Sequence, residues 1–222
     1  MKKIFTIVGI ILFCGFVAIL PFLIKVKIDC ESQYGDCPQQ ISDKINSFDG
    51  KSLFTARRGV TKILKSDFLV SDFSLQYKIP NILHAELLVK KPIAAFRDST
   101  SGSVILVDKD GIALSTASDS ALPVVTVTGN LPKIGQYIED SNLFALNLAT
   151  GIYQMYQIGE SQVQDDSLLV ELPGQIRVIF PLEGDTQVLL GSLRLIYSKI
   201  QSDGNLSKYS QIDLRFKNPV LR

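Results

Sequence analysis

The chain has 222 residues, of which 46% are hydrophobic and 20% charged, and its formal net charge is +1. This composition excludes an intrinsically disordered protein. Acidic and basic residues are interspersed along the chain, so the sequence lacks the clustered basic face that binds nucleic acid. The residues that follow the N-terminal apolar segment are enough for one large or two small domains.

The first feature in chain order is an apolar segment, Ile4 to Ile24, which contains no charged residue and follows Met1-Lys2-Lys3. A helix of this length spans about 30 Å, the thickness of the hydrocarbon core of a bilayer. The segment therefore predicts a transmembrane helix over 4–24 behind a cytoplasmic N-terminus, 1–3, with the remaining chain extracytoplasmic. A cleaved signal peptide is the alternative. It is disfavoured because the apolar run is long and no small-residue cleavage site precedes Lys25.

Two cysteines, Cys30 and Cys37, flank a short loop directly after the apolar segment. In an oxidising compartment they would close a small disulfide ring, and two free thiols are the alternative. A metal site is disfavoured because two thiols are too few ligands and the single histidine, His84, is far away in sequence.

Residues 25–96 predict a small α+β domain in β-α-α-β-β order. Its elements are a strand around Val26–Ile28, helices around Ile41–Phe48 and Arg57–Lys65, and strands Phe73–Ile79 and Leu83–Val89. Each helix has apolar residues at helical spacing, whereas the two later strands alternate apolar with polar residues. A turn at Pro80-Asn81 separates these strands.

Residues 97–222 predict a β-rich domain with two helices. Its strands are Val104–Val107, Ile112–Leu114, Val124–Val127, Leu168–Leu172, Gln175–Phe180 and Tyr209–Phe216, and its helices are Ser141–Gln157 and Thr186–Ile200. An Asp-Gly pair at Asp110-Gly111 marks a hairpin turn. In the last strand the alternation places Ile212, Leu214 and Phe216 on one face.

Three stretches of the sequence form an ordered set of motifs. They are Lys78–Leu83 with Val89–Phe96, then Leu106–Gly111, and finally Ile212–Asn218. The first combines a Pro-Asn turn with a basic-Pro-hydrophobic-Ala run that ends on an aromatic residue. The second is a hydrophobic-Asp-x-Asp-Gly hairpin, and the third is an Asp-Leu-Arg-aromatic strand. In this order, behind an apolar segment, they resemble the FtsQ/DivIB family of bacterial division proteins over almost the whole chain.

The resemblance implies an α+β fold class with three parts. These are a single N-terminal transmembrane helix (4–24), a POTRA domain of β-α-α-β-β order (25–96) and an FtsQ-type β domain with two helices (97–222). It also implies a non-catalytic divisome scaffold that links early and late division proteins. Such a protein is a single-pass type II protein of the plasma membrane, concentrated at the division septum. Its partners would be small bitopic proteins of the FtsB/DivIC and FtsL kind.

The candidate partner-binding site is the C-terminal strand, because a terminal strand with one free edge can accept a strand from a partner. Its candidate residues are Tyr209, Ile212, Leu214, Arg215, Phe216 and Lys217. Phe216 would be the aromatic anchor, with ordinary core packing as the alternative, and Arg215 and Lys217 would meet acidic partner residues. The resemblance adds Arg57 and Arg58, near a loop that is linked in the family to recruitment by other division proteins.

Catalysis is not expected, and neither is a cofactor, a metal or a small-molecule substrate. A Ser-His-acid set would have to use His84, which alternation places on the strand face opposite Leu83, Ala85 and Leu87. The acid pairs Asp108/Asp110 and Asp165/Asp166 fall at predicted turns, where aspartate is favoured for backbone reasons. The alternative function is that of a POTRA-containing, chaperone-like module of membrane protein assembly or secretion.

Overall fold

The structure is a computed structural model that describes residues 20–129, 131–204 and 208–222. The chain divides into two compact units, with the division between Lys90 and Lys91. In the described residues, each unit contains one mixed β-sheet and two helices longer than one turn.

Unit one builds a four-stranded sheet in the order β2-β1-β4-β3. Its elements are β1 (Lys27–Ser32), β2 (Gly35–Asp36), α1 (Gln39–Asn46), α2 (Leu53–Ser66), β3 (Val70–Lys78) and β4 (Ile82–Val89). Strand β1 runs parallel to β4, and β3 pairs antiparallel with β4 through the turn at Pro80-Asn81. Strand β3 therefore forms one outer edge of this sheet.

Both helices of unit one are held by an apolar stripe that faces the sheet. On α2, Ala56, Val60 and Leu64 recur every four residues and are buried, because this spacing keeps them on one side of an α-helix. They pack in one cluster with Ile41 and Ile45 of α1 and with apolar residues of β1 and β4. The helix begins where the Ser52 side chain accepts a hydrogen bond from the Thr55 N–H.

Unit two builds a nine-stranded sheet in the order β13-β12-β11-β10-β9-β8-β5-β6-β7. Its strands are β5 (Ala94–Asp98), β6 (Val104–Val107), β7 (Ala113–Ala117), β8 (Val124–Val127), β9 (Glu160–Gln164), β10 (Ser167–Leu172), β11 (Ile176–Pro181), β12 (Gln211–Asp213) and β13 (Val220–Leu221). Its helices are α3 (Asp140–Tyr156) and α4 (Thr186–Ser202). The parallel pairs are β5·β8, β8·β9 and β11·β12, and all other neighbours are antiparallel.

The two helices of unit two share one large core with the sheet. Residues of α3 and α4 such as Leu146, Ile152 and Leu193 are buried in the same cluster as Phe180 of β11. Helix α4 begins at Asp185, whose carboxylate accepts hydrogen bonds from two N–H groups of the first turn.

The predicted fold class is wrong in its first element, the transmembrane helix over 4–24. No helix within 20–129, 131–204 and 208–222 is long and apolar enough to cross a membrane. Residues 4–19 of that prediction lie outside the described residues. The described helical turn, 20–23, ends because the Ile24 carbonyl accepts a hydrogen bond from Leu53 at 2.8 Å, which draws the chain into an extended path beside α2.

The predicted first domain, 25–96, ends at Phe96, but Phe96 lies in unit two. It is buried in the middle of β5, and β5 pairs with β6 and β8 in the sheet of unit two. Because those ladders hold the whole strand, Ala94–Asp98 belongs to unit two.

Two helical glycines in unit two give a test of the packing between α3 and α4. A Cβ built on Gly151 of α3 would lie 2.4 Å from Leu190 Cδ1, whereas a Cβ on Gly191 of α4 meets no atom within 4 Å. Because Leu190 is itself buried, we expect Gly151→Ala to lower the free energy of unfolding by about 1–3 kcal/mol. The matched Gly191→Ala should raise it by up to about 1 kcal/mol, since alanine is the better helix former.

Urea denaturation of both variants measures these changes. Equal stabilisation by the two alanines would show that the helices do not approach closely at Gly151.

Candidate partner-binding edge

The C-terminal residues form two short strands in place of the single predicted strand. Strand β12 covers only Gln211–Asp213 and pairs in parallel with β11, and β13 (Val220–Leu221) folds back antiparallel on its other side. Gln211 and Arg222 exchange a pair of backbone hydrogen bonds, each 3.1 Å long. The prediction of one edge strand over Tyr209–Phe216 is therefore wrong, because β13 occupies the edge of β12.

Two of the candidate contact residues are core residues. Ile212 and Leu214 are buried in the main cluster of unit two. The Leu214 N–H donates to the Ile179 carbonyl of β11 at 2.8 Å, so its backbone is also committed to the sheet. Tyr209 is half-buried against the same cluster. Neither Ile212 nor Leu214 offers a side chain to a partner.

Phe216 does not share a face with these core residues. It lies in the turn between β12 and β13, and 53% of its surface is exposed. Lys217 beside it is also exposed. The prediction that Phe216 is available to a partner stays a prediction, whereas the proposed face shared with Ile212 and Leu214 is wrong.

An ion pair between the buried Asp213 and the exposed Arg215 holds the start of this turn. Asp213 has no exposed surface, and its Oδ1 and Oδ2 accept hydrogen bonds from the Arg215 guanidinium at 3.0 and 2.7 Å. The Arg215 N–H also donates to Oδ1 at 3.1 Å. These hydrogen bonds hold the pKa of Asp213 below its usual value, and the pKa of Arg215 is raised for the same reason. Arg215 is thus engaged within its own chain.

One of the two outer edges of the sheet is formed by the backbone of β13, and the other by β7. Arg222 exchanges its backbone hydrogen bonds with Gln211, so it directs its N–H and C=O towards β12. In an antiparallel pair, successive residues direct these groups to opposite sides. The N–H and C=O of Leu221 therefore face away from β12, and among the described strands none lies on that side. This arrangement is suited to the addition of one more strand.

An apolar hollow of about 330 Å³ lies beside this edge. Helix α4 forms one wall and the C-terminal segment the other; the lining residues are Leu195, Ile196, Lys199, Ile200, Asp203, Tyr209 and Leu221. Leu195 is 74% exposed and Leu221 is 38% exposed. The hollow is therefore large enough to accept an apolar side chain from a segment that pairs with β13.

The C-terminal segment that forms one wall of the hollow is basic. Residues 208–222 include four cations, Lys208, Arg215, Lys217 and Arg222, and a single acid, Asp213, which is buried. Lys208 lies over the Tyr209 ring, 5.7 Å from its centroid. This excess of positive charge favours an acidic partner segment.

The other sequence-predicted residues lie in unit one. Arg57 and Arg58 are exposed on α2. A disulfide joins Cys30 of β1 to Cys37, with the two Cα atoms 5.6 Å apart, and it closes the β1–β2 hairpin. His84 lies on the sheet face predicted for it, but it is buried, and its Nδ1 contacts Asp29 Oδ2 at 2.8 Å. In the described part of the chain, no hydroxyl or thiol group donates to this histidine.

The part of the candidate site that the sequence did not predict is β13. A strand of two residues has no measurable alternation, and its partner β12 is separated from it by a turn. The signal that could have revealed it is Asn218-Pro219, a turn dipeptide directly before Val220.

Neither a protein-family model nor a curated protein matches this chain.

The ion pair between Asp213 and Arg215 predicts a specific acid sensitivity. The folded-state pKa of Asp213 is below the unfolded value of about 3.9. Asp213 therefore stabilises the fold fully above that value, and the contribution is lost as the pH falls towards the folded-state pKa. We expect Asp213→Asn to lower the free energy of unfolding by about 2 kcal/mol at pH 7, and by less at pH 3.

Chemical denaturation at several pH values tests this expectation. The control is Asp203→Asn, which removes the exposed Lys199–Asp203 pair of α4 and should change stability little at any pH. A loss for Asp213→Asn that is the same at pH 3 and pH 7 would contradict the role given to the ionised carboxylate.

Proposed function

We propose that this chain is a non-catalytic divisome scaffold of the FtsQ/DivIB type. It links early and late division proteins at the septum, on the extracytoplasmic side of the plasma membrane. It captures small bitopic partners of the FtsB/DivIC and FtsL kind, and the capture site is the outer edge of β13. The sequence predicted the capture site at a strand over Tyr209–Phe216, and the edge of β13 takes its place in this proposal.

The observation that carries the proposal is the outward-facing backbone of Leu221 beside an apolar hollow. Backbone hydrogen bonds supply affinity for almost any extended segment, so they cannot by themselves select a partner. The hollow between α4 and β13 adds selectivity, because binding is stronger when the incoming strand buries an apolar side chain in it. The exposed cations Lys208 and Lys217 then favour a segment that also carries acidic residues.

Two of the three stretches that resemble the family also support the proposal, since their residues have a structural task. In Asp108–Gly111, the Asp108 carboxylate accepts hydrogen bonds from the N–H groups of Asp110 and Ile112, and Gly111 has φ +81°. In Ile212–Asn218, the Asp213–Arg215 pair begins the turn that leads to β13. These motifs therefore shape turns of the β domain.

The disulfide supports the proposed compartment. Disulfides persist in oxidising surroundings outside the cytoplasm and are rare within it. The Cys30–Cys37 bridge closes a ring with a sequence separation of only seven residues and staples the β1–β2 hairpin. A structural bridge at this place fits a domain that folds after export.

Replacement of Leu221 by proline tests strand addition at this edge. Leu221→Pro removes the outward N–H donor and leaves the Gln211–Arg222 hydrogen bonds of β13 in place. We expect it to abolish co-purification of the small bitopic partners from cells. Leu221→Ala is the matched control: it keeps the N–H donor but shortens the side chain in the hollow, so binding should weaken without being lost.

Circular dichroism and the urea midpoint establish that both variants are folded. If folded Leu221→Pro retained full binding while Leu221→Ala did not, the hollow alone would hold the partner. The proposal of an added strand would then be wrong.

A further inference from the structure

Helix α2 of unit one presents a basic stripe to solvent. Phe54, Arg58, Lys62 and Lys65 are all exposed and recur at spacings of four, four and three residues, which place them on one side of the helix. The opposite side carries Ala56, Val60 and Leu64, which are buried against the sheet. The helix contains no acidic residue.

The three cations of the stripe are not neutralised by neighbouring acidic side chains. Among the described residues, Arg58, Lys62 and Lys65 form no salt bridge, whereas Lys44 pairs with Asp67 and His84 with Asp29. Asp67, the acid that directly follows α2, is thus already paired with a lysine of α1 at 2.7 Å. The positive charge of the stripe therefore faces outward.

Large apolar side chains extend the stripe at the beginning of α2. Phe22 and Leu23 are 54% and 67% exposed, and Phe54 is 46% exposed. The rings of Phe22 and Phe54 are 4.6 Å apart between centroids. Backbone pairing fixes this arrangement, since the Leu53 N–H donates to the Ile24 carbonyl. Two aromatic rings and a leucine thus form one exposed apolar patch next to the basic stripe.

We propose that this face of α2 docks on an anionic lipid surface. Cationic side chains near an anionic membrane each contribute about a fivefold gain in binding, and aromatic rings favour the headgroup region. The exposed Phe22, Leu23 and Phe54 favour lipid over an acidic protein, because an acidic segment would leave these side chains in water. The sequence before them carries no charged residue back to Lys3, so nothing in it repels a lipid surface.

The proposal gives unit one an interaction surface that is independent of the strand edge of unit two. It also gives Arg57 and Arg58 a role other than recruitment of proteins. Arg58 lies within the stripe, whereas Arg57 is exposed at its margin. Arg58 should therefore matter more than Arg57.

Tryptophan fluorescence offers a local test, because the chain contains no tryptophan. The full chain carrying Phe54→Trp is mixed with vesicles of phosphatidylcholine and phosphatidylglycerol in which the acyl chains are brominated. We expect the lipids to quench the emission at low salt, with less quenching in high salt or in pure phosphatidylcholine. The control is Phe216→Trp, at a site with similar exposure in unit two, which should remain unquenched.

Neutralisation of charge provides the second comparison, in the Phe54→Trp background. Arg58→Gln with Lys62→Gln should weaken docking about fivefold for each residue, whereas Lys27→Gln with Lys78→Gln, on the sheet, should leave it unchanged. The proposal would be overturned if quenching stayed the same in high salt, with uncharged lipid and in the Arg58→Gln, Lys62→Gln variant. It would also be overturned by an unquenched tryptophan whose emission shifts with polyglutamate, because the stripe would then bind acidic protein.

Discussion

The burial of the Asp213 carboxylate is the constraint on which the C-terminal edge depends. A carboxylate without exposed surface must be matched by donors, and Arg215 supplies both its guanidinium and its N–H. This local set of hydrogen bonds draws the chain out of β12 and into a turn. The turn returns Val220–Leu221 to pair with β12, so the outermost backbone of the sheet belongs to β13. The candidate binding edge is therefore a consequence of one ion pair.

The two candidate surfaces use different physical interactions. The edge of β13 combines directional backbone groups with a hollow for one side chain, which suits a segment of defined sequence. The stripe on α2 combines diffuse positive charge with exposed aromatic rings. This combination suits an extended charged surface rather than a peptide segment of defined sequence. The proposed scaffold would use both kinds of contact. Because each surface lies within one unit, each can be tested alone.

Most of the helices and strands could be predicted from hydrophobic periodicity. Helices α3 and α4 and strand β4 carry clear patterns, since one face of each is buried. Strand β3 alternates as well, with Phe73 and Leu75 half-buried against the sheet's apolar cluster. The end of β12 could not be predicted in this way. Ile212, Leu214 and Phe216 alternate as a strand would, but the Asp213–Arg215 hydrogen bonds end the strand before Phe216. A local polar interaction prevailed over the pattern.

The candidate site was predicted less well than the fold, for two physical reasons. Strand β13 depends on a pairing across a turn, which no local pattern records. The hollow depends on Leu195 of α4 and Leu221 of β13, two residues whose proximity requires the packed unit. Arg57, Arg58 and the cysteine pair could be identified because they are adjacent or close in sequence. That Arg58 and Phe54 lie on the same exposed face of α2 could be seen only in the structure.

In-cell photocrosslinking from the hollow tests whether division partners are captured at the edge of β13. A photoreactive residue at Leu195 would lie beside the outer edge of β13, and the same residue at Val188, an exposed position on the same helix, is the control. We expect position 195 to crosslink to small single-span, coiled-coil-forming division proteins and position 188 not to do so. If the folded protein in dividing cells gave no such product from 195, or the same products from both positions, the capture of division partners at this edge would be contradicted.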